Sequence, residues 1–331
     1  MNKKKVIKTI QYIFFLALGI LIFWMFYKNT DFEEYKDQLL NNVRWGWVIL
    51  SFFLGLLSHL SRAIRWNMLI HPMGYVPKWY NSFLAVMVMY LVNFILPRGG
   101  ELARCGVLTR YEKIPFTKLV GTVVVERLTD TIAMFVFAFG ILLIQLKVVY
   151  KFFEEHPDLR EGLIDKFSGT SLYIIIGAVL VFIILLYLTR GLYKNKVGGK
   201  VKSLYLQLVE GINTIRKMKN AWAYIGHTLF IYAMWLVTMW MFFFSFEPTE
   251  DLSLLTAATV FVMSGLAMIL PIQSGLGAFH FMVVQTIMLF GVSMQDGKFF
   301  AFLAHGATNG MLIISGILSL ILLVVVNKKT V

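Results

Sequence analysis

Charged residues are scarce in this chain of 331 residues, and they decide the class of protein. Only 15% of the residues are Asp, Glu, Lys or Arg, whereas soluble domains carry about 25%. Hydrophobic residues reach 58%, and several runs approach the roughly 20 apolar residues that cross a bilayer. The strand alternation of an outer-membrane barrel is missing. The sequence therefore predicts an all-α polytopic membrane protein.

Cysteine is almost absent, since Cys105 is the only one. A single cysteine excludes an intrachain disulfide and a thiol-rich metal site. The chain also lacks a Walker loop, a zinc signature, a glycine-rich dinucleotide loop and a nucleophile elbow. Its soluble stretches stay below about 30 residues, too short for an extramembrane catalytic domain. These absences argue against an enzyme of any of these motif classes and against an extramembrane catalytic domain.

Negative charge is the scarcer sign, with 18 Asp and Glu against 31 Lys and Arg and a net charge of +13. In a soluble protein this balance would suggest nucleic acid, but in a membrane protein basic residues mark cytoplasmic loops. They gather in the first eight residues, in the stretch 190–220, and at Lys328 and Lys329. We predict a multi-pass protein of the bacterial inner membrane with both termini in the cytoplasm.

The apolar segments and the charged loops together predict a topology. Eight segments fall at about 9–27, 46–61, 79–97, 119–144, 171–189, 221–246, 254–290 and 299–326. If the basic termini and the basic stretch 190–220 lie in the cytoplasm, the segment 79–118 must begin and end in the cytoplasm. The segment 254–298 must then begin and end outside. We expect six full spans and two oppositely oriented re-entrant hairpins at these ranges. A full crossing by each limb is the alternative.

Each hairpin contains a similar break. The first reads ILPRGG at 95–100 and the second ILPIQSGLG at 269–277. Pro97 and Pro271 each remove a backbone donor, and the following glycines allow a tight turn. Opposed broken segments in the two halves of a chain indicate an inverted-repeat transporter. The first break could instead simply end a full span at the membrane surface.

These features predict one transmembrane domain over 1–331. Its halves cover about 1–189 and 221–331, and the basic stretch 190–220 joins them. Within that stretch, apolar residues of Val201–Asn220 recur at helical spacing with basic residues between them. This pattern is typical of an amphipathic helix on the cytoplasmic surface, or of an ordinary linker helix.

The first break is a candidate anion site. Irregular backbone at membrane depth persists only where it is buried in protein or lines a wet cavity. A helix that starts near Gly100 would offer free amides and a positive dipole end, which suit a phosphate. Arg98 adds a donor fork for phosphate oxygens. Glu101 and Arg104, three residues apart, could instead pair with each other.

A second group of charges, Glu126, Arg127 and Asp130, lies inside the segment 119–144. Glu126 and Asp130 are four residues apart and share a helix face. Charges inside a span are costly and usually face the bundle interior in pairs. The group either pairs with Arg98 or Arg104 to shape a head-group site, or forms a structural ion network.

Two further polar pairs have ordinary interpretations. Arg62 and Arg65 follow the second segment, and we expect them to extend to the cytoplasmic interface. His280 and His305 lie near the second break, where they could relay protons. Hydrogen bonding of each histidine to a neighbouring carbonyl is the favoured alternative.

The motifs together resemble a known family. The order ILPRGGELAR, Pro115, VVVERLTD and a late LPIQSGLGAF is similar to the flippase-like family, the transmembrane region of lysylphosphatidylglycerol synthases and its stand-alone relatives. The resemblance covers nearly the whole chain. The run Ile272-Gln273-Ser274 differs, because a more glycine-rich run is common there.

This resemblance implies movement of an aminoacylated phospholipid between leaflets, after a soluble C-terminal domain has charged the lipid from aminoacyl-tRNA. The sequence ends at Val331 without such a domain. We therefore expect a translocase of a phospholipid or lipid-linked phosphate, with the head group in a midplane cavity. One alternative is an intramembrane transferase or hydrolase with a metal on Glu126 and Asp130. Another is a non-transporting scaffold for a separate lipid-modifying enzyme.

The candidate substrate-binding residues lie at the two breaks and in the charged stretch between them. They are Arg98, Gly99, Gly100, Glu101, Arg104, Glu126, Arg127, Asp130, Gln273, Ser274, Gly275, Gly277 and His280. The partner we expect is a membrane phospholipid as substrate, and we expect no cofactor, metal or nucleic acid.

Overall fold

The computed structural model of the chain describes residues 3–96, 99–145, 218, 220–268 and 272–328. The chain divides into two units, one of 1–141 with 211–331 and one of Leu142–Glu210. Nearly all of the second unit lies outside the described residues, as do the predicted span at 171–189 and almost all of the predicted surface helix at 201–220.

Ten α-helices form the described part of the chain, which confirms the all-α prediction. They are α1 (Lys3–Tyr27), α2 (Phe32–Asn41), α3 (Trp45–Ile70), α4 (Trp79–Ile95), α5 (Gly100–Glu112), α6 (Phe116–Ile144), α7 (Ala221–Phe243), α8 (Leu254–Ala267), α9 (Ala278–Met288) and α10 (Met294–Val326). Short 3₁₀ turns cover His71–Met73, Glu247–Thr249 and Gln273–Gly275.

Four of these helices are long and apolar enough to cross a membrane: α3 with its extension to Met73, α6, α7 and α10. Shorter apolar helices accompany them, namely the Leu16–Tyr27 part of α1 together with α4, α8 and α9. Helices of a soluble protein bury their apolar faces, whereas many of these helices expose theirs. The chain is therefore a polytopic membrane protein.

The helix α3 is longer than the segment 46–61 that the sequence predicts, since it continues to Ile70. Arg62 and Arg65 lower the local hydropathy, and the apolar pattern therefore ends before the helix does. The loop expected at 28–45 also holds a helix, α2, which the apolar pattern missed. Its Tyr35 packs edge-on against Phe299 of α10, with ring centroids 5.1 Å apart.

The helices α4 and α5 form a closely packed hairpin. A Cβ atom at Gly100 would overlap the carbonyl oxygen of Met89 on α4, so only glycine allows this approach. The Gly100 amide donates to Asn93 Oδ1 at 2.9 Å. Asn93 therefore caps the first amide of α5, which the sequence analysis expected to be free for an anion.

The two outer ends of this hairpin meet at one end of the bundle. Asn81, near the start of α4, donates through Nδ2 to Glu112 Oε1 at the end of α5, at 2.6 Å. Asn81 also exchanges hydrogen bonds with Asn327 at the end of α10, at 2.8 and 3.1 Å. We call this the Asn327 end. It contains the start of α4 and the ends of α5 and α10.

The opposite end of the bundle is defined by a second set of contacts. Arg44, before α3, forms an ion pair with Glu250, after α7. Gln295, at the start of α10, donates to Glu34 of α2 at 2.9 Å. We call this the Glu250 end. The pair α8 and α9 packs together between the end of α7 and the start of α10, so this second hairpin begins and ends here.

Apolar side chains bury mainly in two clusters. One surrounds Trp66 and Leu108 and is built mostly from α3, α4, α5 and α6. The other surrounds Phe243 and Phe299 and is built mostly from α7, α8, α9 and α10, with residues from α1 and α2. Each cluster thus belongs chiefly to one half of the chain. Extensive packing of α7 on α3 and of α10 on α4 connects the halves, together with the polar contacts described below.

We predict that Gly100→Ala will separate α4 from α5 and cost about 1–3 kcal/mol or more of stability, because the new methyl group overlaps backbone that cannot move aside. The thermal unfolding midpoint in detergent measures this. Gly106→Ala in the same helix is the matched control, since none of the described residues lies within 4 Å of its Cβ position. Equal midpoints for the two variants would contradict the close hairpin.

Candidate functional site

Glu126 is fully buried in α6, and four arginine side chains surround its carboxylate. Arg62 Nη1 lies 2.9 Å from Oε1, and Arg104 Nη2 lies 2.9 Å from Oε2. Arg127 Nη2 lies 3.1 Å and Arg65 Nη2 3.6 Å from Oε1. Three helices, α3, α5 and α6, therefore converge on one carboxylate.

Asp130 lies one turn further along α6 and shares two of these arginines. Its Oδ1 lies 2.5 Å from Arg65 Nη2, and its Oδ2 lies 3.0 Å from Arg62 Nη1. This arrangement confirms that Glu126 and Asp130 occupy the same helix face. We call the four arginines with Glu126 and Asp130 the arginine cluster.

The arginine cluster lies deep within the bundle. Arg62 precedes the end of α3 by eight residues, Arg104 precedes the end of α5 by eight, and Glu126 follows the start of α6 by ten. At ~1.5 Å of rise per residue, each charge is about 12–15 Å from the Asn327 end. This depth is close to half of the ~30 Å hydrocarbon core of a bilayer.

Aromatic rings cover the faces of three of the guanidinium groups. Arg104 lies over the Trp66 ring at 4.4 Å and Arg62 over the Trp235 ring at 5.2 Å. Arg65 lies 5.5 Å from the ring centre of Tyr224. A cation over an aromatic face gains electrostatic stabilisation when water is excluded. The rings therefore help to hold cations in an apolar environment.

The helix α7 attaches to the arginine cluster along one face. Thr228 Oγ1 accepts from Arg65 Nη1 at 2.9 Å. Tyr232 donates its hydroxyl to the carbonyl oxygen of Asp130 at 2.7 Å, and Tyr224 donates to Thr129 at 3.2 Å. Residues four apart share a helix face. The first helix of the second half is thus docked on charges of the first half.

Positive charge exceeds negative charge at this site. Among the described residues, four arginines face three carboxylates when Glu101, 3.9 Å from Arg127, is included. Among the residues that the structure describes, the Nε groups of Arg62, Arg65 and Arg104 are buried without a hydrogen-bond partner. A guanidinium has five N–H donors, and a buried donor without an acceptor is costly. The cluster can therefore accept a further anionic group.

The residues of the first break occupy different surroundings in the structure. Arg104 binds Glu126, one of the two pairings expected for it, whereas Glu101 lies near Arg127 and not in a pair with Arg104. Gly99 forms the turn before α5. Arg98, with Pro97, lies outside the described residues.

The prediction that Arg62 and Arg65 extend to the membrane interface is wrong. Both are buried, with 2% and 0% of their side chains exposed, and both bind the carboxylates of α6. The error arose because the apolar pattern ended α3 too early. The charge balance of α6 could have predicted their burial. Glu126 and Asp130 lie in one span with only Arg127 beside them, so these carboxylates require cations from another helix.

The second break forms a separate polar group. His305 Nε2 lies 2.9 Å from the carbonyl oxygen of Ser274, as expected for this histidine, whereas His280 contacts a backbone amide and not a carbonyl. The Gly277 amide donates to His280 Nδ1 at 3.3 Å, and the two imidazole rings lie 4.5 Å apart.

Backbone geometry explains the glycines of this break. Gly275 and Gly277 both have positive φ, as does Ser274 at 49°. A Cβ atom at Gly277 would lie 2.8 Å from the carbonyl oxygen of Gly19, so α1 packs directly on the turn. Gln273 contributes its backbone to the 3₁₀ turn. Within the described residues, these groups contact α1, α4 and α10 rather than the arginine cluster.

The fold and the site define a class: a multi-pass helical membrane protein with a deeply buried ionic cluster of excess positive charge. The profile of the family described as the lysylphosphatidylglycerol synthase TM region matches residues 12–316, and the chain belongs to that family. It is 26% identical over 303 residues to the UPF0104 membrane protein MJ1595 of Methanocaldococcus jannaschii, which covers 88% of this chain and 86% of the relative. No solved structure matches the chain significantly.

We predict that Glu126→Gln will cost about 3–5 kcal/mol, because it leaves buried arginines without their shared counter-charge. Arg127→Gln should cost about 1 kcal/mol or less, since 42% of its side chain is exposed. Thermal unfolding midpoints of the two purified variants provide the comparison. If Glu126→Gln were no less stable than Arg127→Gln, Glu126 would not be the centre of the cluster.

Proposed function

We propose that the protein is a phospholipid translocase of a bacterial cytoplasmic membrane, and that the arginine cluster holds the phosphate of the head group. The observation that carries this proposal is the buried excess of positive charge around Glu126. A cation excess at mid-membrane depth is expensive unless an anion balances it. A lipid phosphodiester supplies one negative charge while its acyl chains stay in the bilayer.

The chemistry of the donors supports a phosphate ligand. Guanidinium groups match phosphate oxygens with two parallel N–H bonds, and they remain charged at any physiological pH. The Nε groups of Arg62, Arg65 and Arg104, which lack a hydrogen-bond partner among the described residues, are guanidinium donors that a phosphate could accept from. Glu126 and Asp130, which an intramembrane hydrolase would need for a metal, already bind arginines. The arrangement therefore favours head-group binding.

In this proposal the two helical hairpins enter the membrane without crossing it. The helices α4, α5, α8 and α9 have 17, 13, 14 and 11 residues, so they span about 25, 20, 21 and 17 Å. Each is shorter than the ~30 Å hydrocarbon core. The first hairpin begins and ends at the Asn327 end, and the second at the Glu250 end. We propose two re-entrant hairpins of opposite orientation.

The remaining helices complete an inverted-repeat arrangement in the proposal. The helices α1, α3, α6, α7 and α10, with the segment 171–189, would supply six full spans. In this proposal the Asn327 end faces the cytoplasm, an orientation that the basic termini and the basic stretch 190–220 support. Movement of α7 against α3 and α6 would expose the cluster to each leaflet in turn, as in alternating access.

Reconstitution in liposomes tests the function. Fluorescent phosphatidylglycerol, with a quencher that reaches only the outer leaflet, reports the rate of exchange between leaflets. We predict rapid exchange with the protein and at least tenfold slower exchange for Arg104→Gln, since one charge-assisted contact is worth about 1.5–3 kcal/mol. This substitution neutralises the excess charge but leaves three arginines on Glu126.

Two controls make the result specific. Arg44→Gln removes an exposed arginine of the Glu250 end and should leave the rate unchanged. A fluorescent diacylglycerol, which has no phosphate, should not be moved by the protein. Equal exchange of phosphatidylglycerol with and without protein would refute the translocase proposal and favour a non-transporting scaffold. Equal rates for Arg104→Gln and wild type would refute the role of the cluster.

A further inference from the structure

The middle of α10 is polar although the helix is otherwise apolar. The sequence His305-Gly306-Ala307-Thr308-Asn309-Gly310 begins 11 residues after Met294, about 17 Å from the Glu250 end. His305 and Asn309 are partly exposed, and none of the residues that the structure describes lies within 4 Å of a Cβ atom placed at Gly306 or Gly310. Polar groups at such depth normally face a cavity or protein. The described residues therefore do not enclose this polar stretch completely.

The hydrogen bonds around the two histidines fix their tautomers. A carbonyl oxygen only accepts, so the bond of 2.9 Å to Ser274 places the proton of His305 on Nε2. A backbone amide only donates, so the bond of 3.3 Å from Gly277 requires an unprotonated Nδ1 on His280. These contacts assign a proton to Nε2 of His305 and none to Nδ1 of His280, so each ring has one nitrogen bonded at the second break.

The two rings differ in their capacity to accept a proton. Protonation of His280 would place a donor opposite the Gly277 amide and break the bond that caps the start of α9. Protonation of His305 at Nδ1 keeps the Ser274 bond. Asn309 Nδ2 lies 3.1 Å from His305 Nδ1 and 2.9 Å from Nε2, and a flip of this side-chain amide turns its oxygen toward the ring nitrogens that carry protons. His280 is only 1% exposed, whereas His305 is partly exposed.

Among the described residues, two tyrosines are the ionisable groups near this pair. Tyr27 of α1 faces His280 edge-on, with ring centres 5.5 Å apart, and donates its hydroxyl to the backbone oxygen of Lys298. Tyr35 of α2 lies beyond Tyr27, with ring centres 6.3 Å apart. Phe279 of α9 covers His305 at 5.1 Å. With rings 4.5 Å apart, His280 and His305 can hold one positive charge between them.

We propose that His305 is a proton-binding site that controls how firmly the second break is held on α10. A proton on His305 turns its bond to the Ser274 carbonyl into a charge-assisted bond, which is stronger. Loss of the proton weakens that bond and releases a turn already strained by the positive φ of Ser274. The proposed link to lipid movement rests on the translocase function, but proton binding itself does not.

Hydrogen exchange of the protein in nanodiscs tests proton binding without any transport. We expect exchange of a peptide covering 272–281, corrected for its intrinsic pH dependence, to slow by about fivefold as pH falls from about 8 to about 5. His305→Gln keeps an N–H donor near the Nε2 position but cannot be protonated, so its corrected rate should not change with pH. A flat wild-type profile, or acceleration at low pH, would overturn the proposal.

Two other histidine variants locate the proton. His280→Asn keeps an acceptor for the Gly277 amide and should retain the wild-type pH response. His227→Gln, whose native imidazole contacts Ser61 Oγ at 2.8 Å in another region, should retain it as well. Loss of the response in His280→Asn would assign the proton to His280 and contradict the proposal. This pair also decides the question if His305→Gln fails to fold.

Proteoliposomes with a pH gradient then test coupling. We expect the ratio of lipid exchange rates with and without the gradient to differ from one for wild type and to equal one for His305→Gln. A wild-type ratio of one, with the hydrogen-exchange response present, would refute coupling but not proton binding. Absence of lipid exchange in wild type would refute the translocase function and leave the hydrogen-exchange result standing.

Discussion

The ion pairing of Glu126 is the interaction on which the arrangement of this membrane protein depends. One buried carboxylate receives arginines from α3, α5 and α6, and Asp130 reinforces two of them. Such charges are stable at mid-membrane depth only while they remain together, because separation would leave each in an apolar medium. The cluster therefore fixes the first hairpin against α6 and, through Arg65, docks α7.

The same interaction leaves positive charge and N–H donors in excess. Among the described residues, four guanidinium groups cannot all be satisfied by three carboxylates, and the remaining donors and charge suit an anion such as a phosphate. The bonds of Thr228 and Tyr232 on α7 are hydrogen bonds, whereas ion pairs join α3, α5 and α6. In the proposed translocase, the ionic core of α3, α5 and α6 stays intact while α7 moves.

Sequence reasoning located much of this fold and part of the site. Apolar runs, the two proline–glycine breaks and the charges at Glu126 and Asp130 are local patterns, so they could be read directly. The role of Arg62 and Arg65 could not, because burial depends on partners 61–68 positions away and hydropathy treats every arginine as a surface residue. The capping of Gly100 by Asn93 likewise depends on a close helix approach that no periodicity reveals.

The central claim is that the arginine cluster carries one more positive charge than its own carboxylates balance, and that a lipid phosphate balances it. Native mass spectrometry of the protein, purified in mild detergent and titrated with phosphatidylglycerol, measures this directly. The account predicts one tightly held phospholipid on the wild-type protein and its loss on Arg104→Gln. The same number of retained phospholipids on both proteins would contradict it.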